Sequence, residues 1–250
     1  MGLKESGLRG SLRNVSVGID AIPDSVVLQY FGTTYSDAST TWEDDNDVQD
    51  MTLTGGETAT TINGSDAVGF DGLEDHGLID LPPAFDGSGL NEFSIELSLA
   101  YTDGTGDEIA FWFFAADGDQ VLGVRANFDA DGATANEGQM LFDLRDDNDQ
   151  RFRFSPSNNP NLNDGDRHDI SIIIEDASNN DATLIIDGSE VSLTFLDQDS
   201  PDNFKSWSVD LAVAAGNDNG SINAHFEQDC GAMRWHDEAI EEQTIDDYAI

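Results

Sequence analysis

The sequence predicts an all-β protein, an antiparallel jelly-roll β-sandwich with an extended N-terminal arm and a short C-terminal helix. Three observations predict it. From about residue 66 onward, apolar residues return at every second position in one short run after another. Gly-, Asp- and Asn-rich turns separate the runs. A single stretch near the C-terminus has helical spacing instead.

The elements follow in chain order. Residues 1–20, beginning MGLKESGLRGSLRNVSVG, form a small basic arm rich in Gly and Ser. Residues 21–65 are an irregular lead-in with short apolar pieces, Val26-Val27-Leu28 and Tyr30-Phe31, and an acidic linker, Glu43-Asp44-Asp45-Asn46-Asp47. Residues 66–250 are the sandwich. Within 91–101, Phe93, Ile95, Leu97, Leu99 and Tyr101 share one face, and Ser94, Glu96 and Ser98 share the other. The run 109–115 is continuous and aromatic, FWFF at 111–114, and predicts a central strand buried on both faces. Further strands fall at 120–127, 139–145 and 151–154, where Arg151-Phe152-Arg153-Phe154 alternates. The run 167–175 aligns His168, Ile170, Ile172 and Ile174. Runs 182–186 and 190–195 flank Asp187-Gly188, a pair that tolerates the positive φ of a tight hairpin turn. Runs 205–214 and 222–235 complete the sheets. Residues 237–248 place Ala239, Ile240, Ile245 and Tyr248 at helical spacing.

Charge limits the partners. The chain has 51 Asp plus Glu against 10 Lys plus Arg, a net charge of -41. Nucleic-acid binding through a basic face is excluded, because phosphate contacts need Lys and Arg. Docking on an anionic membrane is disfavoured for the same reason. The composition is 38% hydrophobic with 14 Phe and 4 Trp, enough for a packed core. So large an acidic excess repels itself in dilute salt but is screened within roughly 3 Å at 1 M. Few Lys, many Asp and acids spread along the whole chain predict adaptation to molar salt. The alternatives are a polyanionic mimic or a calcium-loaded surface. Basic residues are unevenly placed: Lys4, Arg9 and Arg13 lie in the arm, and the next is Arg125. The arm is either a loose terminus or a segment that docks on an acidic neighbour. No run of eighteen apolar residues predicts a membrane helix, and no apolar segment near residue 1 predicts a secretory signal. The single cysteine, Cys230, excludes an internal disulfide and is expected to pack as a small apolar residue in a late strand.

Five short motifs occur in order. They are Val68-Gly69-Phe70-Asp71-Gly72 leading to Gly77-Leu78-Ile79-Asp80-Leu81; Phe93-Ser94-Ile95-Glu96-Leu97; Asp164-Gly165-Asp166-Arg167-His168; Leu184-Ile185-Ile186-Asp187-Gly188; and Ala239-Ile240-Glu241-Glu242. Together, over about residues 66–250, they resemble the laminin G-like branch of the concanavalin A-like lectin/glucanase fold. Arg167 stands where that pattern usually has Trp, and Ser98 where Trp is often found. The resemblance implies a sandwich with a closing helix and a structural role for His168. It leaves lectins, glucanases and purely structural modules all open. The arm GLKESGLRGSLRNVS resembles the start of structural proteins of haloarchaeal tailed viruses.

A glucanase of this fold needs two carboxylates across a cleft, commonly on an E-x-D-x-E strand, and no such strand occurs. Glu96 stands alone. No nucleophile motif accompanies His76, His168, His225 or His236. No cofactor is required, although Ca2+ or monovalent cations are conceivable ligands. Asn127, Asp129 and Asp131 alternate like a calcium loop, but Glu137 comes one residue too early for the full pattern. An ordinary acidic hairpin loop explains the same residues. Asp71 and Asp75 in FDGLED are second candidates; the laminin G-like resemblance implies an ion near the sandwich edge. For glycan stacking, Tyr30, Tyr35, Trp42, Trp207 and Trp235 are available, whereas Trp112 is expected in the core.

The expectation is a non-enzymatic virion surface protein of a haloarchaeal virus: a capsid turret, decoration or tail-fibre component. The arm would anchor it through Leu3, Leu8, Leu12 and Val15 with Lys4, Arg9 and Arg13. Its partners would be its own copies, as a trimer or pentamer, other virion proteins and host-surface glycan. It would be made in the host cytoplasm and displayed on the particle. The alternative is an exported haloarchaeal lectin or glycoside hydrolase.

Overall fold

The structure is a computed structural model. It describes residues 25–37, 39–81, 85, 90–102, 110–128 and 135–241, without the side chains of residues 128 and 135–137. Among the described residues the strands run in order as β1 (Val26–Phe31), β2 (Thr41–Trp42), β3 (Met51–Thr54), β4 (Thr58–Ile62), β5 (Ser65–Asp71), β6 (His76–Ile79) and β7 (Phe93–Ala100). Next come β8 (Ala110–Asp117), β9 (Gln120–Phe128), β10 (Ala135–Arg145), β11 (Arg151–Pro156), β12 (His168–Asp176) and β13 (Asp181–Ile186). Last are β14 (Ser189–Glu190), β15 (Leu193–Gln198), β16 (Leu211–Val213), β17 (Gly216–Asp218), β18 (Ser221–Asn223) and β19 (Glu227–His236).

They form two large, almost wholly antiparallel sheets. The first has the order β14-β13-β12-β7-β19-β5-β4. β19 is long enough for β5 to pair with its first half and β1 with its second. The second sheet has the order β15-β11-β10-β9-β8-β16-β6-β3-β2. There β17 runs parallel to β8 and hairpins with β18. The all-β sandwich read from sequence is therefore the observed architecture. Strands β1 to β4, from the stretch read as a lead-in, are hydrogen-bonded into these two sheets.

Alternation puts the core between the sheets. Phe93, Ile95, Leu97 and Leu99 of β7 and Ile170, Ile172 and Ile174 of β12 are buried there. They meet Trp112, Phe113, Leu122, Val124, Phe142 and Phe152 from the second sheet in the same cluster. Phe85 packs edge-on against Phe93 at 5.8 Å and Trp235 at 5.1 Å. The hairpin predicted at Asp187-Gly188 joins β13 to β14, with φ of 50° and 69°.

The expected closing helix is not formed where it can be followed. Residues 237–241 are bent and irregular, and the rest of 242–248 lies outside the described residues. The reason is local. Ser94 Oγ donates to Glu238 O at 3.0 Å and accepts from Ile240 N–H at 3.0 Å. The segment is thus tied across the back of β7 and not into a helical turn. This covering buries Ser94 on the second face of β7, where Glu96 is enclosed by Ser171, Arg234 and His236.

Candidate ligand site

The second face of the run FWFF builds a site. Register slips between Phe111 and Phe113 where β8 pairs with β9, a β-bulge that resets the alternation. Trp112 and Phe113 join the main core, whereas Phe111 and Phe114 join a separate cluster with Ala116 and Val121. The two rings lie 4.3 Å apart at 33°. Opposite Phe114 on β9 is Gly123. A Cβ there would sit 2.6 Å from Phe114 Cδ2 and 2.9 Å from Phe113 O, so only glycine lets this ring lie over β9.

Register then carries charged residues alongside the rings. Gly123 pairs with Asp143 on β10, and Asp143 pairs with Arg153 on β11. In the neighbouring row Val121 pairs with Arg145, and Arg145 with Arg151. Arg125 faces Phe111 across β8 and β9, its guanidinium 5.7 Å from the ring centroid. The result is a hollow of about 300 Å³ lined by Phe111, Phe114, Arg125, Asp143, Arg145 and Arg151. Asp218, Asn223 and Ala224 from the β17–β18 region complete the wall.

Its electrostatics are specific. Asp143 is only 5% exposed at the side chain and meets Arg125 at 3.5 Å. Burial pushes its carboxyl above the usual range although Arg125 opposes this, and burial lowers the Arg125 guanidinium. Asp143 Oδ1 finds no hydrogen-bond partner among the described residues. Arg145 and Arg151 both reach Asp149 Oδ1 at 3.1 Å, and Arg153 pairs with Asp197. The hollow thus offers the accessible parts of two mostly buried, mutually tilted rings, an unfilled acceptor and several guanidinium donors side by side.

A second hollow, of about 400 Å³, opens on the other sheet and has the opposite sign. Asp71, Asp75, Glu227 and Asp229 line it with Tyr101 and Gln228. Glu227 and Asp229 share one face of β19, and Glu227 pairs in register with Asp71. The third place of an E-x-D-x-E strand is taken by Gly231. Burial first, then the Glu227 charge, raises the Asp229 carboxyl.

The residues singled out from sequence are dispersed. Asp75 accepts from Gly56 N–H at 2.7 Å and from Asp71 N–H at 3.2 Å, and Asp71 accepts from Leu73 N–H at 2.8 Å. These carboxylates hold the FDGLED turn. Among the described residues no three His, Cys, Asp or Glu are grouped to hold a metal ion. Asn127 is buried with φ of 57°, and its Oδ1 accepts from Gly138 N–H at 3.0 Å. Asp129 and Asp131 lie outside the described residues, as do Leu3, Lys4, Leu8, Arg9, Leu12 and Arg13. His168 bridges Asp187 at 2.9 Å and Asp164 at 3.2 Å, fixing the start of β12 to the hairpin. Tyr30, Trp42 and Trp235 are fully buried, Tyr35 is buried, and Trp207 is partly buried with Nε1–H donating to Phe85 O at 3.2 Å. Phe111 and Phe114 line the first hollow but are themselves buried, at 5% and 7% exposure. The signal that could have found it was the Arg-x-Arg of β11 beside Asp143 and Arg145 in one short span. Among the described residues no helix is long and apolar enough to cross a membrane.

No protein-family model and no curated protein matches the chain. Solved structures do. The binding domain of Paraclostridial Mosquitocidal Protein 1 aligns with a TM-score of 0.65 at 9% identity, covering 87% of this chain and 50% of that one. The chain therefore spans about half the length of that neighbour. Domain 4 of AbnA, a GH43 extracellular arabinanase from Geobacillus stearothermophilus in complex with arabinotriose, aligns at 0.58 and 14%, covering 86% and 94%. Trypanosoma rangeli sialidase in complex with sialic acid aligns at 0.54 and 8%, covering 87% and 31%. At such identities the likeness establishes the fold.

Proposed function

We propose that this protein is a non-catalytic glycan-binding module displayed on the surface of a virus particle whose host lives in molar salt. The observation that carries the binding role is the β8–β11 hollow. A bound sugar would meet the accessible parts of the mostly buried Phe111 and Phe114, give a hydroxyl to the unfilled Oδ1 of Asp143, and offer acceptor oxygens to the arginines. The neighbours lend support of a general kind. One is named as a binding domain, and two are named as complexes with a saccharide. The particle setting rests on the acidic composition and on the arm, whose Leu3, Leu8 and Leu12 with Lys4, Arg9 and Arg13 would anchor a trimer or pentamer, or a neighbouring virion protein. At high salt such anchoring leans on apolar contact, because charge attraction is screened within roughly 3 Å at 1 M. No bound cofactor is needed for this role.

The test is a glycan array probed with the full chain in molar salt. Binding that disappears in Phe111→Ala supports the reading. Binding of no glycan, or undiminished binding by Phe111→Ala, overturns it. A glycoside hydrolase is the second reading, favoured by the raised Asp229 beside Glu227 in the acidic hollow. Release of reducing sugar by the wild type that stops in Asp229→Asn would establish it.

A further inference from the structure

We infer that the glycan seated in the β8–β11 hollow carries an anionic group, a sugar carboxylate or sulfate, held by Arg145 and Arg151 beside the Phe111–Phe114 pair. The inference rests on the glycan reading above and narrows it to one chemical class.

Charge placement is the first argument. Beyond residue 13 the sequence has seven basic residues, Arg125, Arg145, Arg151, Arg153, Arg167, Lys205 and Arg234. Four of these seven lie on the adjacent strands β9, β10 and β11, and three line one hollow. The rest of the surface is overwhelmingly acidic. Beyond the arm, more than half of the chain's cations are gathered on these three strands.

Register is the second. Arg145 and Arg151 are cross-strand partners. Like charges directly opposite each other on a sheet destabilise it. Within the protein a single carboxylate oxygen answers both: Asp149 Oδ1 accepts from Arg145 Nη1 at 3.1 Å, from Arg151 Nη2 at 3.1 Å and from Arg151 Nε at 3.3 Å. Asp149 is exposed, so this pairing is weak. The other N–H groups of these two guanidiniums meet no partner among the described residues. Two planar forks that share one solvent-facing acceptor are arranged to accept a second anion.

The third is complementarity. Buried Asp143 demands a donor at Oδ1, which free sulfate or a simple carboxylate lacks. An acidic sugar supplies both signs at once: hydroxyl hydrogens for Asp143 and anionic oxygens for Arg145 and Arg151. Its ring abuts the accessible parts of Phe111 and Phe114. The acidic hollow on the opposite sheet, lined by Asp71, Asp75, Glu227 and Asp229, repels such a ligand.

The experiment is calorimetric titration of the full chain in molar salt. The probes are a uronic-acid oligosaccharide, its carboxyl-reduced neutral counterpart and a sulfated neutral oligosaccharide. The carboxylate or the sulfated probe should bind about tenfold or more tightly than the neutral one, as expected of charge-assisted bidentate contacts. The double variant Arg145→Gln, Arg151→Gln should lose that preference yet keep the thermal midpoint of the wild type, because it removes only exposed pairs. Which anionic probe responds identifies the group. Equal binding of acidic and neutral probes by the wild type, or a preference retained in the double variant, overturns the inference and leaves the glycan reading standing. Failure on the whole array removes both.

Discussion

Arg234 Nη1 and Glu96 Oε2 meet at 3.4 Å, and neither side chain is exposed to solvent. The two residues are register partners on β19 and β7. Glu96 also accepts from Ser171 Oγ at 3.2 Å and lies 3.0 Å from His236 Nε2, while Arg234 Nε donates to Gln29 Oε1 at 2.8 Å. A carboxylate so enclosed stabilises structure and has no route to a substrate. Arg234→Met would leave it buried without its guanidinium. Removing one partner of such a pair costs about 3–5 kcal/mol. Chemical denaturation in molar salt should show that loss; a change below about 1 kcal/mol would contradict this account.

Gly123 is a second sensitive point. Gly123→Ala forces a methyl against Phe114 Cδ2 and the Phe113 carbonyl, at 2.6 and 2.9 Å. Overpacking of this sort costs about 1–3 kcal/mol. The displaced Phe114 ring also forms the floor of the hollow. The variant should therefore lose thermal stability and weaken glycan binding together, whereas Gly118→Ala, which meets nothing within 4 Å, should leave binding unchanged.

Period-two alternation made β7, β12 and the Asp187-Gly188 hairpin readable, because each obeys one local rule. The hollow obeyed none. Phe111 and Phe114 are three residues apart and cannot share a face under strict alternation; the bulge that unites them depends on β9. Arg125, Arg145 and Arg151 become neighbours only through register. The run 237–248 has helical spacing, yet Ser94, some 140 residues earlier in the chain, takes the backbone groups of Glu238 and Ile240. Asp71 and Asp75 fit a cation pattern but serve backbone amides. In each case the deciding partner is fixed by the fold and not by the local pattern of apolar and polar residues.

Cys230 gives a simple probe of packing. It is 1% exposed, and burial, reinforced by Asp229, pushes its thiol up to about 12. The thiolate is the reactive form. Folded protein should resist a thiol-directed reagent at neutral pH and react stoichiometrically once denatured. Rapid labelling of the native chain would mean that β19 opens readily and that Cys230 is not sealed in the core.

Asp229 sets a pH dependence whose sign can be worked out. Burial and the nearby Glu227 raise its folded pKa above that of the unfolded chain. Between the two values the folded protein holds a proton that the unfolded chain has released. Stability therefore falls as pH rises through that window, and the deficit is complete above the folded pKa. The window opens near the ordinary carboxylate value, about 3.9. Asp210 and Glu57, both raised mainly by burial, act in the same direction. Asp229→Asn removes one such contribution. The variant should melt at a higher temperature than the wild type near neutral pH, and the gap should close as the solution is acidified toward about pH 4. Thermal melts of both proteins across that range at one fixed molar salt concentration measure it. A variant less stable at neutral pH, or a gap that does not change with pH, would show that Asp229 is held ionised by a partner and not strained by its surroundings.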